Sequence, residues 1–182
     1  KPYVLRALRW HGMLFPNPWV MGGGASDLLL VESRRAERKM IENGCVPDKI
    51  RYTGHASHDI LFKISTEKNN LRRKLFENYA LQSSKRIVLL ALPQLGEHKI
   101  VEWSQHWKEI EFLCKAMSTL NCNVLISLHP RVDRKQYEYI EDKYDIPILK
   151  ERLFEVLPLV DLYTATFSST IEWSVLCSVP TI

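Results

Sequence analysis

Short apolar runs and stretches with helical periodicity succeed one another along this chain. Residues 27–31, 49–53, 87–92, 123–128, 146–149 and 159–165 are runs that read as buried strands, and another opens at Val179. Between them, Ser33 can cap a helix running to about Glu42, which Gly44 ends before Pro47 begins the next turn. Gly54 breaks the second run, 60–64 is apolar, and 65–70 reads as a polar surface connector. A charged amphipathic helix covers 71–81. Ile100, Trp103, Trp107, Ile110, Leu113, Met117 and Leu120 fall on one face of a later helix, whose tryptophans read as core. Residues 132–144 form a polar helix that Asp133 and Gln136 can cap, and 171–177 form the last one. Phe154–Leu157 lies before Pro158, and Ser83-Ser84-Lys85 reads as a domain boundary. Strands alternating with helices, without hairpin signals, predict an α/β fold with parallel sheets covered by helices on both faces.

Residues 1–26 fit this pattern least. Arg6, Arg9, Trp10, Phe15 and Trp19 make a basic-aromatic stretch broken by Pro16, Pro18 and Gly22-Gly23-Gly24. It reads as a core-packing segment with a loop, or as a contact for a membrane surface or an acidic acceptor. The chain has 182 residues and a formal charge of +4. Its basic residues alternate with acids, as in Glu32-Ser33-Arg34-Arg35-Ala36-Glu37-Arg38-Lys39, which describes a solvated helix face and argues against nucleic acid. No apolar run approaches the ~20 residues that span a bilayer. The four cysteines form no CxxC pair and read as reduced thiols, neither a disulfide frame nor a zinc site. With no initiator Met, no signal-peptide pattern and an end at an opening strand, the sequence is expected to be an internal piece of a longer protein.

Candidate chemistry gathers after the strand-like runs. Ser127-Leu128-His129-Pro130-Arg131 follows one of them, and Phe167-Ser168-Ser169-Thr170-Ile171-Glu172 another. In an open parallel sheet both stand at carboxyl ends of strands, beside the crevice where such sheets bind ligands. Arg131 offers a fork of donors for a phosphate, and His129 can donate to a phosphate oxygen or protonate a leaving group. The Ser168, Ser169 and Thr170 hydroxyls and the free N–H groups of the helix they open can donate as well. Ser169 and Glu172 also have the spacing of a capping box, which explains both without a ligand. Pro93-Gln94-Leu95-Gly96-Glu97-His98 is a third such loop. Gly96 there would admit a ligand close to the backbone, and Glu97 and His98 are acid–base candidates beside His129. His55, His58 and Asp59 are metal-ligand types but lack a second cluster to complete a site, so no metal is expected. Trp173 reads as packing beneath its loop.

Together these stretches resemble the GT-B superfamily of nucleotide-sugar enzymes. Residues 25–33 with 44–54 and Asp59 look like the last strand and helix of a first domain running into a linker. Leu128-His129-Pro130-Arg131 is similar to the His-Pro motif of bacterial sialyltransferases, capsule Kdo transferases and polyglycerol-phosphate polymerases. Residues 160–172, continuing to 179–182, look like the Ser-Ser/Thr motif with the helix and strand that follow it. The resemblance implies two Rossmann-like domains with the donor between them. Residues 1–60 would end an N-terminal acceptor domain, 61–83 would be a linker and connecting helix, and 84–182 would hold the donor domain.

By the same resemblance His129, Ser168, Ser169 and Thr170 bind the donor's nucleotide and phosphates, and Glu172 stands near the ribose; Arg131, by its fork of donors, and Gln94, by its place in a strand-end loop, are counted with them as donor-binding residues. The implied activity is metal-independent transfer of a sugar from a nucleotide-activated donor to a glycan or lipid-linked acceptor, without a cofactor. The implied place is the cytoplasm, with a peripheral contact at the inner face of the membrane, in capsule or surface-polysaccharide synthesis. UDP-N-acetylglucosamine 2-epimerases share the architecture but usually carry Ser-Gly-Gly where this chain has Ser-Ser-Thr. A 2-epimerase, or a non-catalytic nucleotide-sugar-binding subunit, is the alternative.

Overall fold

The structure, a computed structural model, describes residues 2–12, 26–166 and 168–182. Phe15, Trp19, the Gly22-Gly23-Gly24 run and Phe167 therefore lie outside the described residues. The chain divides into two compact units, residues 1–57 and 58–182.

The first unit contains α1 (Pro2–Trp10), β1 (Leu29–Val31), α2 (Arg34–Glu42) and β2 (Ile50–Tyr52). The Ser33 hydroxyl accepts the Ala36 N–H at 3.1 Å and so starts α2 as its sequence predicts. The two strands pair in parallel, and Val31, Cys45 and Ile50 bury a small core with Ala36 and Met40 of α2. No residue of α1 is buried.

The chain enters the second unit along α3 (Ala56–Thr66) and continues through α4 (Lys68–Asn78), β3 (Ile87–Ala91), α5 (Trp103–Ser118) and β4 (Asn123–Ser127). It closes with α6 (Tyr139–Tyr144), α7 (Leu153–Val156), β5 (Leu162–Ala165) and α8 (Ile171–Leu176). The sheet is parallel with order β4-β3-β5. Two extended pieces widen it through single bridges, Ile148 beside Ile126 and Thr181 beside Tyr163. Read across, the order is the 148 segment, β4, β3, β5, then the 181 segment. The chain winds outward from β3 on one side, crosses back, and winds outward on the other. Successive strand residues face opposite sides. Leu90, Val124 and Ile126 pack under α5 and α6, whereas Ile87, Leu89, Leu125 and Tyr163 pack under α4, α7 and α8. Each fully buried Leu or Ile contributes roughly 1.5–3 kcal/mol, so both faces drive folding.

Several predicted elements are corrected. The 65–70 connector is helical, because α3 reaches Thr66 and α4 begins at Lys68. The 132–144 helix is broken into a short 3-10 turn, Arg134–Gln136, and α6; Asp133 caps only the turn, accepting the Lys135 N–H at 3.2 Å. The run 159–165 becomes a strand only at Leu162, because Pro158 holds Leu157–Leu159 in a 3-10 turn. On α5 the buried stripe is His106, Ile110 and Cys114. Ile100 and Leu120 lie beyond its ends, and Trp103, at its first position, is 47% exposed.

The turn at 83–85 is fastened to the sheet. The Asn123 side chain accepts the Gln82 N–H at 2.9 Å and donates to the Gln82 and Lys85 carbonyls at 2.8 and 3.1 Å. Helix α4 is tied down by Arg72. Its guanidinium donates to the Leu159 carbonyl and to Asp161 Oδ2 (2.6 Å), and the same carboxylate oxygen takes the Ile87 N–H at 2.7 Å.

Candidate functional site

The parallel register sets Ala91, Ser127 and Ala165 in one row at the carboxyl ends of the three strands. Such small side chains leave room above the sheet. Ala91 and Ser127 form part of the floor of a cavity of about 120 Å³, which Gln94, His98, His129, Ser168 and Thr170 help to line. A larger chamber of about 540 Å³ shares Leu128, His129, Pro130, Leu153, Ser168 and Thr170 with it and extends to Lys150, Arg152 and Trp173. The groove lies where the winding reverses between β3 and β5, the switch point at which doubly wound sheets bind ligands.

His129 is built by a tight turn. Its carbonyl accepts the Val132 N–H at 3.1 Å, which places Pro130 at the second turn position that its fixed φ favours. The Arg131 N–H donates to His129 Nδ1 at 3.2 Å. That bond assigns the neutral ring's proton to Nε2, which makes Nε2–H a donor. Burial and the neighbouring Arg131 and His98 charges hold the His129 pKa below its ordinary value, with Glu97 acting weakly the other way. Near neutral pH His129 is therefore an uncharged donor.

At the end of β5 the three hydroxyls are not equivalent. The Thr170 N–H donates to Ser168 Oγ at 3.2 Å, and the two hydroxyls are 2.6 Å apart. Thr170 Oγ1 also bonds the hydroxyl of fully buried Tyr163. A consistent proton order runs from Tyr163 to Thr170 to Ser168, leaving the Ser168 O–H for a ligand. Ser169 lines the larger chamber.

The expected capping box does not form. The residue before α8 is Thr170, in helical conformation with no side-chain cap, and the Glu172 N–H bonds the Ser169 carbonyl at 3.4 Å. The first-turn N–H groups of Thr170, Ile171 and Glu172 are all bonded within the turn, so the expected free donors are absent there. Glu172 lines neither chamber; its carboxylate stands 4.0 Å from His58 Nε2. Arg131 is exposed and also lines neither.

The loop after β3 splits the remaining candidates. Gln94 and His98 line the smaller cavity and are 3.3 Å apart. Glu97 turns away, taking the Tyr137 hydroxyl at 2.6 Å and lying 3.9 Å from His106 Nε2. His106 is fully buried, accepts the Gly96 N–H through Nδ1 at 3.3 Å, and meets Tyr137 Oη with Nε2 at 2.9 Å. Gly96 serves this packing and not ligand access: a Cβ there would lie 2.9 Å from the Trp103 ring and 3.2 Å from His106.

Tyr163, His106, Tyr137, Tyr79 and Arg134 support the groove and escaped the sequence reading. For Tyr163 and Tyr137 the signal was a polar tip on a large apolar side chain, which must find a partner when buried; Arg134, in a polar stretch, gave none. Among the described residues no three His, Cys, Asp or Glu side chains are grouped to hold a metal ion, and no helix is long and apolar enough to cross a membrane.

A doubly wound parallel sheet with its groove at the switch point defines a Rossmann-like domain. The chain is similar in fold to the wall teichoic acid polymerase TagF, in a form soaked with CDPG, with a TM-score of 0.54, 13% identity and 85% of this chain covered. It is likewise similar to the UDP-GlcNAc 2-epimerase from Methanocaldococcus jannaschii, with a TM-score of 0.58, 18% identity and 86% covered. The match spans 37% of the polymerase chain and 45% of the epimerase chain. No protein-family model matches the chain, and no curated protein matches it in sequence.

Proposed function

We propose that this chain carries the donor-binding domain of a glycosyltransferase that moves a sugar from a nucleotide-activated donor in capsule or surface-polysaccharide synthesis. The observation that carries this reading is the meeting of His129, Ser168, Thr170, Gln94 and His98 around one groove at the switch point of the sheet. In this reading the donor diphosphate lies across the ends of β4 and β5. His129 Nε2–H and the Ser168 hydroxyl donate to its oxygens and stabilise the charge that grows as the nucleotide departs. Gln94 and His98 close the opposite wall. Arg131 approaches from the rim, and the reaction needs no metal. The sugar passes to a glycan or lipid-linked acceptor in the cytoplasm, with the enzyme resting peripherally on the membrane.

The fold likeness to a teichoic acid polymerase supports this reading. The likeness to a 2-epimerase favours a second one, in which the same groove holds UDP-N-acetylglucosamine without an acceptor. Ser-Ser-Thr in place of Ser-Gly-Gly weighs toward transfer. Release of a 2-epimer or of free UDP from UDP-N-acetylglucosamine alone would decide for the epimerase.

Calorimetric titration with CMP, CDP and UDP tests the site. The wild-type protein binds at least one of them. His129→Ala and the Ser168→Ala/Ser169→Ala double variant each weaken it about tenfold or more, the loss expected for hydrogen bonds to a charged group, with thermal unfolding unchanged. Equal affinity in wild type and variants overturns the assignment.

A further inference from the structure

Leu149, Lys150, Glu151 and Arg152 form one wall of the larger chamber; they belong to a short irregular segment, residues 148–152, whose backbone is pinned by side chains from four separate places in the chain. The Ile148 N–H donates to Glu141 of α6 at 2.8 Å. Arg134 places one guanidinium nitrogen 2.6 Å from the Leu149 carbonyl and the other 2.9 Å from the Ile148 carbonyl. The Lys150 N–H donates to the Tyr79 hydroxyl at 2.8 Å, and that hydroxyl donates in turn to the Glu151 carboxylate. The Arg152 N–H is taken by Glu155 of α7 at 2.8 Å. The peptide joining Lys150 to Glu151 is then the one in the segment whose N–H and C=O both lack a partner among the described residues. An irregular segment normally loses conformational freedom when a ligand orders it, and that loss weakens binding. Here the ordering is done in advance.

We infer that Tyr79 and Arg134 are positioning residues for nucleotide binding: Tyr79, which lines neither chamber, and Arg134, which lines the larger one, hold the 148–152 wall so that its open peptide meets the nucleoside half of the donor. The inference rests on the proposed donor-binding reading. Tyr79, just past the end of α4, suits the role because its phenol must accept one bond and donate another at once. Burial, with the Glu151 carboxylate beside it, pushes its pKa up to about 12, so the proton stays in place at working pH.

The test compares nucleotide with pyrophosphate. Tyr79→Phe keeps the ring and removes the hydroxyl. Its affinity for the nucleoside diphosphate that wild type binds best should fall about tenfold, whereas inorganic pyrophosphate, which meets only the His129 and Ser168 end, should bind as before. Hydrogen exchange in peptides covering 148–152 should quicken at the same time. Arg134→Lys should lose less nucleotide affinity than Arg134→Ala. Undiminished nucleotide affinity in Tyr79→Phe, or an equal loss for pyrophosphate, overturns the inference while leaving the donor site standing. Failure of the wild-type protein to bind any nucleotide overturns both.

Discussion

The turn after β5 shows how much a single buried hydroxyl can arrange. Tyr163 lies in a strand and is fully enclosed, so its polar tip must be satisfied from within. It reaches Thr170 and Thr170 reaches Ser168; with Tyr163 as the first donor, the order leaves the Ser168 O–H to donate. Replacing Tyr163 with Phe keeps the ring and breaks the order at its source. Ser168 and Thr170 can then satisfy each other in either direction, and Ser168 is no longer held as a donor. The expected result is a loss of about 1 kcal/mol in unfolding free energy, the size of one net hydrogen bond, together with a several-fold weaker nucleotide complex. Chemical denaturation and calorimetry on the same variant check both. Full nucleotide affinity would show that the hydroxyl order does not matter. His129 differs in being readable almost entirely from its neighbours, since a proline after it fixes the turn that frees Nε2.

At the level of elements, the β3–α5 loop carries two functions on opposite sides. Gln94 and His98 face the groove, whereas Gly96 and Glu97 face the aromatic cluster of Trp103, His106, Trp107 and Tyr137. Gly96→Ala would drive a methyl against the Trp103 ring and His106. Trp103 is half-exposed and can yield, but His106 cannot move without breaking its bonds to Gly96 and Tyr137. A destabilisation of about 1–2 kcal/mol is expected from such overpacking, measured as a lower urea midpoint, with the loop's groove side displaced enough to weaken ligand binding. Wild-type stability in this variant would mean that Trp103 absorbs the whole change. The apolar periodicity disclosed α5 as a helix but gave its buried stripe to Trp103 instead of His106. Periodicity counts apolar positions, and a histidine satisfied by a tyrosine and a backbone N–H counts as polar. The same blindness produced the capping box at Ser169. The spacing was right, but Ser168 and Thr170 bond each other and the cap never forms.

For the second unit as a whole, alternating strand and helix signals were enough to reveal parallel pairing with helices on both faces, because buried parallel strands read as continuous apolar runs. Strand order was not legible, since it rests on contacts between residues far apart in the chain. One such contact makes stability depend on pH. Asp161 is partly buried, which raises its pKa, but the hydrogen bonds from Arg72 and the Ile87 N–H, with the nearby positive charges, outweigh burial and lower it. The folded state therefore favours the carboxylate. That contribution is complete above the unfolded value of about 3.9 and is lost as pH falls through the lower folded value. His106 acts at higher pH. Burial lowers its pKa, only partly offset by Glu97, so the unfolded chain takes up the proton first. Its contribution is complete above about 6.5 and declines as pH falls below that. Urea midpoints measured from pH 8 to pH 3 should stay level at first, decline from about 6.5, and decline again below about 4. Asp161→Asn should lose about 1–2 kcal/mol at pH 7, where a charge-assisted bond to Arg72 is missing, and should shrink the lower decline, to which Glu111 beside Lys143 and Tyr144 also contributes, while leaving the upper one. If the variant retains the lower decline in full, other carboxylates govern acid unfolding and the Arg72–Asp161 tie between α4 and the sheet is not what acid breaks.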